Sequence, residues 1–135
     1  MGRYLLDSNA FIWAKIAPNV LASQAREIIE DSKNTLFVSA ACLWELADKA
    51  SKGKLPEFEL ILRQQPDGLI GSLQQSGMQL MPIGVTHIET AYRLPLLHRD
   101  PFDRMMIAQA LTEDAIVISR DRIFRDYPRV KLVPA

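Results

Sequence analysis

The sequence predicts an α/β fold: a single domain over residues 1–135, with a central parallel sheet and helices on both faces. Three observations predict it. Short apolar runs at Arg3–Leu6, Thr35–Val38, Met78–Ile83 and Ala115–Ile118 alternate with longer stretches whose apolar residues recur at helical spacing. The run Ile116-Val117-Ile118 is branched and uncharged, the pattern of a strand covered on both sides. A length of 135 residues suits one domain that buries its core without disulfides or metals as staples.

Each element has its own local reason. Arg3-Tyr4-Leu5-Leu6 ends on Asp7-Ser8-Asn9, and Ala10, Phe11, Ile12 and Trp13 then suggest a helix. Pro18-Asn19 interrupts, after which Leu21, Ala25, Ile28 and Ile29 predict a second helix to about Asp31. Thr35–Val38 reads as a strand, with Ser39 capping a helix from Ala40 toward Gly53. Between Pro56 and Ser76, two short helices flank the turn Gln64-Gln65-Pro66-Asp67-Gly68. Met78–Ile83 is a strand stopped by Pro82 and Gly84. Thr86 to Leu94 is a helix with Thr86 as cap and Glu89 at the capping-box position, and Pro95 stops it. Asp100 precedes Pro101 as the cap of the next helix, which places Asp103 in its first turn. After the strand at Ala115–Ile118 come one turn of helix near Ile123-Phe124 and a last strand from Val130 to Val133.

Composition excludes several classes of function. Apolar residues are 48% and charged residues 24% of the chain, ordinary globular values. Lys plus Arg equals Asp plus Glu at 16 each, so any nucleic-acid binding must come from a local patch. The single Cys42 in an apolar run reads as a buried thiol, and no zinc-type ligand spacing is present. No window suits a signal peptide or a membrane span, and the expectation is a soluble cytoplasmic protein.

The acids carry the chemistry. In an open parallel sheet, ligands bind beyond the carboxyl ends of the strands. Asp7 directly follows the first strand, and Asp121 follows the Ile116–Ile118 strand closely. Glu45 lies among apolar neighbours in Ala40-Ala41-Cys42-Leu43-Trp44-Glu45-Leu46-Ala47, where a carboxylate needs a partner. Its plainer alternative is an ion pair with Lys49 at i+4. Asp103 has a plain alternative too, since a helix dipole favours any first-turn acid. Connectivity places its helix mouth at the opposite edge of the sheet unless the preceding loop folds back.

If Asp7, Glu45, Asp103 and Asp121 meet, charges about 4 Å apart repel by roughly 4 kcal/mol at an effective dielectric near 20. Such a cluster needs cations at neutral pH. Oxygen-only donors favour Mg²⁺ or Mn²⁺, and the chemistry that follows is metal-assisted phosphodiester hydrolysis. Arg99, Arg104, Arg120 and Arg122, with Lys49, Lys52 and Lys54, flank the acids as candidate phosphate contacts. Trp13 and Trp44 read as core or dimer packing residues rather than base-stacking platforms, His98 as a turn residue, and His87 has no assigned role.

Four motifs in order resemble the PIN-domain ribonucleases, and among these the VapC-type toxins of bacterial toxin-antitoxin pairs. They are Leu5-Leu6-Asp7-Ser8-Asn9-Ala10-Phe11-Ile12-Trp13; Val38-Ser39-Ala40-Ala41-Cys42-Leu43-Trp44-Glu45-Leu46-Ala47 with Lys49 and Gly53-Lys54-Leu55; His98-Arg99-Asp100-Pro101-Phe102-Asp103-Arg104 with Ile107-Ala108-Gln109-Ala110; and Ile118-Ser119-Arg120-Asp121 with Phe124. The resemblance implies a central first strand and an acidic cleft that binds Mg²⁺ or Mn²⁺ and cuts RNA. It also implies a homodimer and a small antitoxin whose C-terminal segment enters the cleft. Asp7, Glu45 and Asp103 match the central acids, and Asp121 the more variable fourth. Ser8, Arg104, Ser119 and Arg120 are the expected substrate contacts. Ser8, Asn9 and Ser119 stand where Thr, His and Thr are common, and no carboxylate is lost.

Two other functions fit less of the chain. A phosphatase with an Asp nucleophile typically wants a second acid two residues on, where Asn9 stands. A catalytically silent interaction module would use the acids only as helix caps.

Overall fold

The computed structural model describes residues 1–135. Five strands, β1 (Arg3–Leu6), β2 (Thr35–Ser39), β3 (Met78–Met81), β4 (Ile116–Ile118) and β5 (Leu132–Val133), form one sheet in the order β3-β2-β1-β4-β5. All four pairings are parallel, and β1 is central. Leu5 and Leu6, Phe37 and Val38, and Val117 and Ile118 are consecutive buried pairs. Successive strand side chains point to opposite faces, so helices cover both sides of the sheet, as the uncharged strands predict.

Seven α-helices connect and flank the strands: α1 (Ser8–Ile16), α2 (Ser23–Glu30), α3 (Ala40–Ser51), α4 (Pro56–Arg63), α5 (Gly68–Ser76), α6 (Val85–Arg93) and α7 (Pro101–Thr112). Short 3₁₀ turns occupy Pro18–Val20 and Arg122–Asp126. Ser39 Oγ caps α3 through the Ala41 N–H, and Asp100 caps α7 through the Phe102 and Asp103 N–H groups. Gly77, with φ +67°, ends α5 in the left-handed region that the turn into β3 requires.

The start of α6 differs from expectation. Its cap is Gly84 rather than Thr86, because His87 Nδ1 accepts the Gly84 N–H at 3.0 Å and lets the helix begin two residues earlier. The buried His87 also places Nε2 3.3 Å from Glu113 Oε2 beyond the end of α7. This gives His87 a structural role that the sequence did not suggest.

The path of α7 corrects the expectation about Asp103. Ala115 N–H bonds to Ala110 O one residue before β4 begins, so the carboxyl end of α7 lies at the amino end of β4. Twelve residues rise about 18 Å, which carries the helix mouth back to the carboxyl edge of the sheet. No folded-back loop is needed. A helix feeding a parallel strand runs antiparallel to it, and its N-terminus therefore lies with the strand ends. Gln109, fully buried on α7, holds this placement: it accepts from Ser39 Oγ at 2.5 Å and donates to Met81 O and Pro82 O.

Candidate functional site

Register sets the floor of the site. Leu6 pairs with Val38 on one side and Ile118 on the other, so Asp7, Ser39 and Ser119 each stand one residue past the same level on adjacent strands. Asp7 caps α1, with Oδ1 accepting the Ala10 N–H at 2.8 Å and Oδ2 accepting from Ser119 Oγ at 2.5 Å. Ser119 Oγ in turn accepts the Asp121 N–H at 2.9 Å, and Asp121 caps the following 3₁₀ turn through the Ile123 N–H. One buried hydroxyl thus orients two acids. From α3, Glu45 receives a hydrogen bond from Ser8 Oγ at 3.0 Å and has Lys49 Nζ 3.7 Å from its other oxygen.

Asp7, Glu45, Asp103 and Asp121 line one cleft of about 270 Å³, together with Ser8, Asp100, Lys49 and Arg120. Four distant segments supply its carboxylates. A larger hollow of about 420 Å³ lies elsewhere, at the C-terminus of α7, and holds none of these acids.

The electrostatics follow from burial first and crowding second. Burial pushes the Asp103 carboxyl up to about 7, helped by the charges of Asp100, Glu45, Asp121 and Asp7. Burial also raises Asp7, against the hydrogen bonds from Ser119 and Ala10, and with further repulsion from Asp121 and Glu45. The Cys42 thiol is held above its usual range, chiefly by burial, and also feels Asp7, Glu45 and Asp103. Three acids from separate elements therefore act on one buried point.

The donors are hard oxygens, with no imidazole among the cleft residues. That chemistry fits a hard divalent cation, which Asp7, Glu45, Asp103 and Asp121 would hold. No group of three such side chains is already arranged to hold a metal ion. The acids are instead oriented by other partners, Asp7 by Ala10 and Ser119 and Glu45 by Ser8 and Lys49.

The remaining candidates divide. Ser8 lines the cleft, while Ser119 lies beneath it, almost wholly buried, and orients Asp7 and Asp121. Arg120 borders the cleft, but it donates to Ala135 O and Val20 O and its guanidinium stacks on Trp13 at 4.2 Å. Arg104 is not brought to the cleft. Its guanidinium donates to Ala91 O at 2.7 Å and Pro95 O at 3.3 Å, near the carboxyl end of α6, where the helix end carries partial negative charge that draws a cation. His98 pairs with Asp126 at 3.0 Å. Trp44 is exposed and so not part of the core.

Sequence reasoning had no role for Gln109 and left open that of Asp100. The signal for Gln109 was present, as a lone amide in the otherwise apolar run Met105–Leu111.

The PIN-domain family matches residues 4–130 of the chain. The chain belongs to the PIN-domain family. Part of the chain is similar to Ribonuclease VapC16 of Mycobacterium tuberculosis (strain ATCC 25618 / H37Rv), 34% identical over 71 residues. That match covers 53% of this chain and 46% of the relative, so it spans less than half of the relative's length. Among solved structures, the DNA-bound VapBC from Salmonella typhimurium superposes with a TM-score of 0.71 at 17% identity, covering 99% of this chain and 98% of that one. VapBC2 from Rickettsia felis, bound to a DNA fragment from their promoter, gives 0.68 at 17% identity, with 98% of each chain covered. At that identity the likeness establishes the PIN fold, which agrees with the sheet order and the central β1.

Proposed function

We propose that this PIN domain is a Mg²⁺- or Mn²⁺-dependent endoribonuclease, the toxin of a toxin-antitoxin pair acting in the cytoplasm. One observation carries the proposal: four separate chain segments bring Asp7, Glu45, Asp103 and Asp121 to one cleft, where burial first and the neighbouring carboxylates second push the Asp103 carboxyl up to about 7. The partial match to a VapC ribonuclease supports RNA as substrate.

Asp7, Glu45, Asp103 and Asp121 would hold a divalent ion, which would supply water activation and offset charge at the attacked phosphate. The chain's own residues do the rest. Ser119 and the Ala10 N–H fix the plane of the Asp7 carboxylate, and Ser8 fixes Glu45. Arg120, braced by two carbonyls and Trp13, sets a positive edge beside acids that otherwise repel RNA.

Partners follow from the same comparisons. The VapBC neighbours support a small antitoxin that covers the cleft. For a second copy of this chain, α6 and the loop after it offer Val85, Ile88, Tyr92, Leu96 and Leu97, with Tyr92 85% exposed. The Glu89–Arg93 pair on the same helix is self-complementary in charge under a twofold axis.

A catalytically silent PIN domain is the second reading, favoured by the lack of a ready-made ligand set. An RNA cleavage assay with Mg²⁺ or Mn²⁺ separates the two. Wild type is expected to cut RNA only with the ion, and Asp7→Asn to lose cleavage while keeping its fold. No cleavage, together with no Mn²⁺ stabilisation of the wild type, would establish the silent reading.

A further inference from the structure

Lys49 occupies an unusual position for a surface lysine. It lies one turn after Glu45 on α3 and lines the acidic cleft, with Nζ 3.7 Å from Glu45 Oε2. At that distance the pair is an ionic contact without a hydrogen bond. The Glu45 side chain is only 18% exposed and that of Lys49 54%, so the stem lies at the rim while the charge reaches inward. Of the two cations bordering the cleft, Arg120 is committed to Val20 O, Ala135 O and the face of Trp13. The Lys49 ammonium has no hydrogen-bond acceptor and can move.

We infer that Lys49 is a tethered stand-in cation: its ammonium neutralises Glu45 in the ion-free cleft and is displaced to an RNA phosphate when a divalent ion takes Glu45. The inference rests on the nuclease reading of the cleft. An ammonium and a divalent ion attracted to the same carboxylate repel each other, so the ion weakens the ammonium's hold on Glu45. Displacement leaves a positive charge on a four-carbon stem at the rim, where the phosphates of an entering strand pass. Ion binding and RNA binding are thereby coupled through one side chain, and the coupling is reciprocal.

The test is Lys49→Met, which keeps the stem's bulk and the helix propensity. Mn²⁺ affinity, measured by calorimetry without RNA, is expected to rise about 2- to 5-fold, the equilibrium equivalent of an exposed ion pair. Binding of a short 2′-O-methyl RNA oligonucleotide in Mn²⁺ is expected to weaken, with the slope of log K against log salt reduced by about 1. The strengthening of RNA binding by Mn²⁺ in the wild type is expected to shrink in the variant. Unchanged or weaker Mn²⁺ affinity in Lys49→Met, with wild type binding the ion, would overturn the role of Lys49 and leave the nuclease reading standing. Failure of the wild type to bind Mn²⁺ would overturn both.

Discussion

Replacing Asp103 by Asn should stabilise the ion-free protein at alkaline pH. The folded state holds this carboxyl near 7, first through burial and then through Asp100, Glu45, Asp121 and Asp7, against an ordinary value of 3.8. A raised acid means that the folded protein binds the proton more tightly than the unfolded chain. Below about pH 4 both states are protonated and Asp103 costs nothing. Stability then falls as pH rises toward 7, and the penalty is complete above it. Fully expressed, the displacement corresponds to about 4 kcal/mol. Asp103 is only half buried, so solvent screening reduces this to about 1–2 kcal/mol. Losing a favourable first-turn charge takes back roughly 0.5 kcal/mol. The net gain of about 1 kcal/mol should raise Tm by about 3–5 °C in EDTA at pH 8. Thermal denaturation from pH 4 to 8 measures it, with Mn²⁺ titrated in parallel. The gain should vanish near pH 4, and Mn²⁺ should stabilise wild type more than the variant. An Asp103→Asn protein no more stable than wild type at pH 8, or one whose gain ignores pH, would refute the electrostatic argument.

Three further outcomes follow from other contacts. Asp7→Asn and Glu45→Gln should each lower metal-dependent RNA cleavage by about 100-fold or more while leaving circular dichroism unchanged, and full activity in either would remove that residue from the mechanism. Ser119→Ala frees Asp7 Oδ2 and the Asp121 N–H, and should weaken Mn²⁺ binding by about 10-fold, with Ser119→Thr restoring it. Gln109→Leu leaves Ser39 Oγ without its acceptor and the carbonyls of Met81 and Pro82 without their donor. Urea denaturation should register a loss of about 1–3 kcal/mol, and a neutral result would mean that the network does not hold α7.

The elements that were legible in the sequence are those whose cause is local. Proline and aspartate at Asp100-Pro101, the hydroxyl at Ser39 and the branched run at Ile116–Ile118 each act within a few residues, and each element appears where they place it. The start of α6 was not legible, because the group that caps it is His87 and not a hydroxyl or a carboxylate. Arg104 was read as facing the cleft because Asp103 is its neighbour. Adjacent helix residues point about 100° apart, and the carbonyls that draw Arg104 belong to Ala91 and Pro95 on another element. Trp44 was read as packed in the core or against a second copy for its apolar neighbours, and α3 turns that position outward, which excludes the core.

Capping and chemistry were weighed in the sequence as rivals for the acids, and the fold makes them one arrangement. In a parallel sheet a helix that directly follows a strand begins at the carboxyl edge, as does one that feeds the next strand, so the residues that cap such helices gather at that edge. Asp7 caps α1, Asp100 caps α7 with Asp103 in the same first turn, and Asp121 caps the turn after β4. Each carboxylate is held by backbone N–H groups or lies beside them, where the helix ends carry partial positive charge. Burial, joined by the mutual repulsion of the acids, outweighs that local attraction, since Asp7 and Asp103 are both raised despite it. The surplus of negative charge is therefore a property of the topology and not of any one residue. Glu45 is the member that capping does not explain: it sits within α3 and is held by Ser8 and Lys49 instead. A cleft built only from caps would lack it, which makes Glu45 the side chain whose presence most separates a metal-binding centre from an ordinary sheet edge.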